Sequence, residues 1–286
     1  MTSATTIFEQ RVSQDGVLIV HKETGWTSHD VVAKIRGLLK ESKVGHAGTL
    51  DPSATGVLPI LVGRATRIAE YLVDWDKEYR AQLRLGETTD TQDATGRLLT
   101  STDPSGVTEI NLQTVLTGFR GIQRQLPPMY SAVKVGGQRL YKAARAGKTI
   151  DRAERSIVIH TLELMSFDGR DATLRVVCSK GTYVRTLCAD IGQALGVGGH
   201  LFSLERRRVG PLSIERALTV EQVASHLAAN TLASQFLSLD ELLFELPAVV
   251  VNEEQAERVL HGTPVSQIGI GQSLSSLAAG NVRLKD

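Results

Sequence analysis

Gly45-His46-Ala47-Gly48-Thr49-Leu50-Asp51-Pro52-Ser53-Ala54-Thr55-Gly56-Val57-Leu58-Pro59 is the stretch on which the reading of this chain turns. Four glycines, at 45, 48, 56 and 63, fall within nineteen residues, so the backbone bends tightly or comes close to something. One carboxylate, Asp51, sits at the centre. The proline after it keeps Asp51 out of the α region, on an extended or turning segment. The apolar run Val57–Val62 predicts a buried strand, and residues 64–72 predict the helix that follows. On spacing alone the stretch fits two descriptions. One is a turn whose Asp caps its own backbone, the other a loop that presents a reactive carboxylate.

The pattern Gly-His-x-Gly-x-Leu-Asp-Pro-x-Ala-x-Gly-Val-Leu-Pro resembles the catalytic motif of the TruB family, the bacterial tRNA pseudouridine-55 synthases. The resemblance implies that Asp51 is the essential carboxylate of uridine isomerisation. It also implies that His46 packs against the RNA near a flipped base.

Further motifs follow in family order. Lys22-Glu23-Thr24-Gly25-Trp26-Thr27-Ser28 resembles the family's first motif, Lys-Pro-x-Gly-x-Thr-Ser, with Glu23 in place of proline. By resemblance Lys22 is a residue on the active-site side, and Ser28 is expected to cap the next helix. In Lys77–Gly86, Tyr79, Ala81, Leu83 and Leu85 alternate with polar residues, which predicts a half-buried strand. Tyr79 is then a core aromatic or a ring exposed at the strand's start, and the resemblance implies that it stacks on the target base. Thr88–Gly96 matches a polar Thr-Asp-Thr-x-Asp-x-x-Gly turn and is expected to be structural. Gln125–Gly147 resembles the Pro-Pro-x-Tyr-Ser-Ala-x-Lys and Tyr-x-x-Ala-Arg-x-Gly run that serves the family as an RNA thumb. Its own content is a Pro-Pro start, a Gly136-Gly137 hinge and a basic helix from about Gln138. Ser179–Gly192 matches Ser-x-Gly-Thr-Tyr-x-Arg. Val184, Leu187, Cys188 and Ile191 form the core stripe there, so Arg185 lies off it. The resemblance implies that Arg185 pairs with Asp51 and that Tyr183 lines the uracil pocket, as does Leu204 in Leu204–Gly210. In that last strand Glu205 stands where the family has arginine and Arg207 where it has threonine, which puts its phosphate contacts in question.

Charge is unevenly distributed along the 286 residues. The formal net charge is +1, yet residues 231–286 hold seven acidic side chains against three basic ones, so the positive excess lies upstream. Residues 134–155 hold seven basic side chains, Lys134, Arg139, Lys142 and Arg145 among them, against two acidic ones. That is the local patch that phosphate binding needs, although a solvated helical face has the same composition. Cys178 and Cys188 sit in apolar surroundings and are expected to be buried free thiols, as in a reducing cytosol. Residues 1–10 lack the basic start of a secretory signal, and no apolar run approaches a membrane span. Scattered histidines and the lack of a Cys-x-x-Cys suggest no metal site.

The expected fold is α+β: a pseudouridine synthase domain over residues 1–230, with a mixed, largely antiparallel sheet, flanking helices and a thumb insertion at about 124–155. A small PUA-like β domain is expected over 231–286. The implied partner is the T arm of tRNA, bound by a cytoplasmic monomer that needs no cofactor or metal. Two other classes stand against this reading. A glycosidase would need two placed carboxylates, and a pure RNA-binding module would need the thumb but not Asp51, Tyr79 and Arg185 together.

Overall fold

The computed structural model describes residues 15–264 and 281–285. The chain opens with β1 (Gly16–Lys22), α1 (Ser28–Leu39), β2 (Val44–His46) and β3 (Thr55–Val62). A 3-10 turn, Gly63–Ile68, leads into α2 (Ala69–Asp74), so the expected helix over 64–72 is split in two. Next come β4 (Lys77–Leu85), a hairpin of β5 (Glu87–Thr89) and β6 (Leu98–Ser101), α3 (Glu109–Gly118) and β7 (Gly121–Gln125). The thumb is a short hairpin, β8 (Lys134–Val135) and β9 (Gln138–Arg139), followed by α4 (Leu140–Arg145). Gly136 and Gly137 both have positive φ (57° and 81°), the conformation that a tight two-residue hairpin turn demands. The thumb helix therefore begins at Leu140 rather than near Gln138.

The remaining elements are β10 (Arg155–Phe167), β11 (Asp171–Cys178), α5 (Val184–Ala194), β12 (Gly199–Val209), β13 (Leu212–Ser213) and α6 (Val220–Ala228). They are followed by α7 (Leu239–Leu242), β14 (Ala248–Val250), α8 (Glu253–Leu260) and β15 (Arg283–Lys285). A capping box between Thr219 and Gln222 starts α6.

Nine strands make one sheet in the order β1-β3-β12-β4-β11-β10-β7, with β2 on β3 and β13 on β12. All pairs are antiparallel except β3 with β12, where Thr55 and Gly56 run parallel to Glu205 and Arg206. That single parallel join carries the Asp51 loop to the middle of the sheet. Alternation in β4 works as expected: Tyr79, Ala81, Leu83 and Leu85 face a core closed by Leu112 and Leu116 of α3 and by Leu187 and Ile191 of α5. The β1–β3 half is covered by Val31 and Ile35 of α1 and Val223 of α6 on one side. On the other side it is covered by Leu72 of α2 together with Leu237 and Leu242. Leu237 also exchanges backbone hydrogen bonds with Val17, so the segment just after residue 230 packs with the first body. Cys178 and Cys188 are both buried free thiols.

Candidate active site

Asp51 lies on the loop between β2 and β3, and that loop is fixed from below. Thr27, not Ser28, caps α1: its hydroxyl accepts from the Asp30 amide and the Asp30 carboxylate accepts from the Thr27 amide. Both residues suit a cap, and the tertiary structure decides between them. Ser28 Oγ is turned to the loop, where it accepts from Leu50 N at 2.9 Å and donates to Leu50 O at 3.1 Å. Lys22 is fully buried, and its Nζ donates to the carbonyls of Trp26 (2.7 Å), Glu23 (2.9 Å) and Pro52 (3.2 Å). No surface of Lys22 is exposed, and its ammonium lies on the active-site side as a brace beneath the Asp51 loop. Burial draws its pKa down to about 8, against the pull of the Asp51 charge.

The Asp51 side chain is 45% exposed and opens into a recess shared with Asp93, Leu201 and Leu204. Its carboxylate is 3.2 Å from Arg185 Nη2. Arg185 leaves the core stripe of α5, as expected, yet only 6% of it is exposed, because it faces carboxylates rather than water. Its Nη1 lies 3.5 Å from Asp93, and its Nη2 also donates to the Tyr130 carbonyl at 2.7 Å. Loss of hydration pushes the Asp51 pKa upward; Arg185 opposes that, Asp93 adds to it and Lys22 opposes it.

Asp93 was hidden in the polar turn expected to be merely structural. The turn does hold itself together: Asp93 Oδ1 accepts from Thr91 Oγ1 (2.8 Å), Thr95 N (3.0 Å) and Thr95 Oγ1 (2.6 Å). Those bonds leave the other oxygen, Oδ2, for Arg185. The available signal was Thr-x-Asp-x-Thr, a carboxylate flanked by hydroxyls at two residues on each side.

Beneath the loop lies a second buried arginine that the sequence reading did not single out. Arg206 is 1% exposed; its Nε donates to Val57 O at 2.7 Å and its Nη2 to Gly48 O at 2.9 Å. Tyr79 is 9% exposed, and burial raises its phenol pKa, so the hydroxyl is neutral at physiological pH. Gly56 makes this junction possible. Its φ is +102°, and a Cβ there would stand 2.2 Å from the Arg206 carbonyl oxygen. Arg206 shares the strand parity of Leu204, and that inward parity was the signal for its burial. Its neighbours spend their charge elsewhere. Arg207 pairs with Glu205 (3.2 Å) and Glu215 (2.9 Å), and Arg208 with Glu78 (3.4 Å). The two departures from the family pattern in this strand, Glu205 and Arg207, thus pair with each other.

His46 stands on β2 with its ring edge-on to His29, centroids 5.6 Å apart. Burial, then the His29 charge, lowers its pKa to about 4, so it is neutral at physiological pH. Tyr183 is the residue before α5, and its backbone is clamped by the Gln125 side chain. In the thumb, Lys134, Arg139 and Lys142 are exposed; the Arg145 side chain lies outside the described residues. Among the described residues no three His, Cys, Asp or Glu side chains gather as a metal site, and no helix is long and apolar enough to cross a membrane. The arrangement offers one partly exposed carboxylate on a braced loop, an arginine paired with it, and a recess beside it.

Residues 36–184 match the family described as TruB family pseudouridylate synthase (N terminal domain). This chain belongs to the TruB family. Residues 185–251 match the tRNA pseudouridylate synthase B C-terminal domain. A relative from Bacillus licheniformis, named tRNA pseudouridine synthase B, is 45% identical over 92% of this chain and 87% of its own length. One of the same name from Symbiobacterium thermophilum is 48% identical over 87% of this chain and 82% of its own. Among solved structures, a Cbf5-Nop10-Gar1 complex aligns with TM-score 0.72 and 31% identity, over 90% of this TruB chain and 70% of the other. An H/ACA RNP bound to a substrate RNA containing 2′-deoxyuridine aligns with TM-score 0.69 and 28% identity, over 92% of this chain and 71% of the other. The pseudouridine synthase fold expected from the motifs is thereby established.

Proposed function

We propose that this protein is a tRNA pseudouridine synthase that isomerises uridine 55 in the T loop, with Asp51 as the nucleophile. The observation that carries the reading is the exposed Asp51 carboxylate held by Arg185 at the mouth of a recess, in a chain of the TruB family. The reaction breaks the C1′–N1 bond, turns the uracil and joins C1′ to C5; the C5 proton leaves and N1 takes up one in its place. Electrons balance without a redox partner. The protein must supply a nucleophile, a pocket that keeps the free uracil, and a means to expose the base.

Asp51 supplies the nucleophile in this reading, and Arg185 aims it. Tyr79 stacks on the base, Tyr183 and Leu204 line the uracil pocket, and neutral His46 packs against the RNA beside the flipped base. Lys134, Arg139, Lys142 and Arg145 of the thumb meet phosphates, which position the RNA without reading its sequence. Such a substrate is recognised by the shape of its loop rather than by its duplex. The enzyme acts as a monomer in the cytoplasm. Residues 231–286 make up the PUA-like module in this reading, and their acidic balance leaves the thumb to supply most of the affinity.

The test is nucleoside chromatography of a T-arm stem-loop after incubation with the protein. Pseudouridine should appear at the T-loop uridine and not in a hairpin of equal length with an unrelated loop. Equal product in both, or none in the T-arm RNA, would contradict the reading.

A further inference from the structure

Gln125 is the last residue of β7 and the last before the thumb leaves the sheet through Leu126-Pro127-Pro128. It is a glutamine with only 5% of its surface exposed. Its side chain is spent on one residue: Oε1 accepts the Tyr183 amide at 2.8 Å, and Nε2 donates to the Tyr183 carbonyl at 3.1 Å. Only this orientation of the amide satisfies both backbone groups, so the donor and acceptor ends are fixed. Tyr183 begins the first turn of α5, where no side chain of the helix's own caps it. Two residues later comes Arg185. Five residues along the chain from Gln125, the Tyr130 carbonyl takes the same Arg185 Nη2 that faces Asp51. Arg185 Nε is buried and has no hydrogen-bond partner, so the polar contacts of the guanidinium to Asp51, Asp93 and Tyr130 run through its two Nη atoms.

We propose that Gln125 is a positioning residue: it locks the first turn of α5 to the root of the thumb and so sets where Arg185 holds Asp51. This rests on the reading of Asp51 and Arg185 given above. The thumb then contributes more than phosphate contacts, since its root is part of the frame that orients the nucleophile. A displacement of about 1 Å in such a frame is enough to cost roughly a hundredfold in rate.

The test uses two variants and two readouts. Gln125→Met keeps the length but makes neither bond. With saturating T-arm RNA its kcat should fall about 10- to 100-fold, while KM and RNA affinity stay within about twofold. Gln125→Glu has the same shape, but its carboxylate cannot donate to the Tyr183 carbonyl. Once protonated it can donate and accept as the amide does. Its activity relative to wild type should therefore rise as pH falls through the pKa of the introduced carboxyl, which burial lifts above the ordinary glutamate value. A purely structural role would leave the two pH profiles parallel. Hydrogen exchange at Arg185 Nε–H, followed by NMR on the free protein, needs no turnover, and it should quicken more than tenfold in Gln125→Met. Wild-type inactivity would overturn the functional reading alone. Unchanged exchange and parallel pH profiles would overturn the positioning role.

Discussion

Arg185 Nη2 lies 3.2 Å from the Asp51 carboxylate while its Nη1 lies 3.5 Å from that of Asp93. One guanidinium divides itself between a half-exposed carboxylate and a buried one. A planar fork can do this, and a point charge cannot. Arg185→Lys should therefore lower kcat at least about a hundredfold while RNA affinity holds within about threefold. Single-turnover rates and filter binding on the same RNA check it.

The acid side of the pH profile follows from the same contact. Asp51 must be ionised to act, and burial lifts its pKa above 3.8 despite Arg185. The group therefore binds its proton more readily in the folded protein than in the unfolded chain. Activity should be lost as pH falls through that raised value. The sign for stability is opposite: an ionised carboxylate with a raised pKa works against the fold at neutral pH. Asp51→Asn should consequently be inactive yet melt no earlier than wild type. A profile of log kcat against pH, with thermal denaturation of both proteins, reads the two effects.

Gly56 tests the junction that carries the loop. A methyl at this residue meets the Arg206 backbone at 2.2 Å, and its φ of +102° strains any side chain. Gly56→Ala should cost on the order of 3–4 kcal/mol. Urea denaturation would show it, as would loss of soluble protein.

The thumb cations should act on binding alone. Removing Lys134, Arg139 and Lys142 together should raise KM with little change in kcat. It should also reduce the slope of log affinity against log salt by up to about three. Affinity titrations at several salt concentrations give that slope directly.

What could be read from sequence followed local rules. The buried run Val57–Val62, the alternation of Tyr79 to Leu85 and the off-stripe Arg185 each follow from periodicity, and each is found where periodicity puts it. What was missed depends on long-range contact. Thr27 and Ser28 are equally able to cap, and only Leu50, twenty-two residues away, explains why Ser28 does not. A lysine suggests a surface until three carbonyls are seen to enclose the Lys22 ammonium. Asp93 has one oxygen tied into its own turn, and the other gains its meaning from a helix some ninety residues later.

The most direct test of the central claim is tritium release from a T-arm stem-loop labelled at uracil C5, with RNA binding measured in parallel for wild type and Asp51→Asn. Release by wild type, with no release and near-equal binding by the variant, is the expected result. Release by Asp51→Asn at a rate within tenfold of wild type would show that another group does the chemistry.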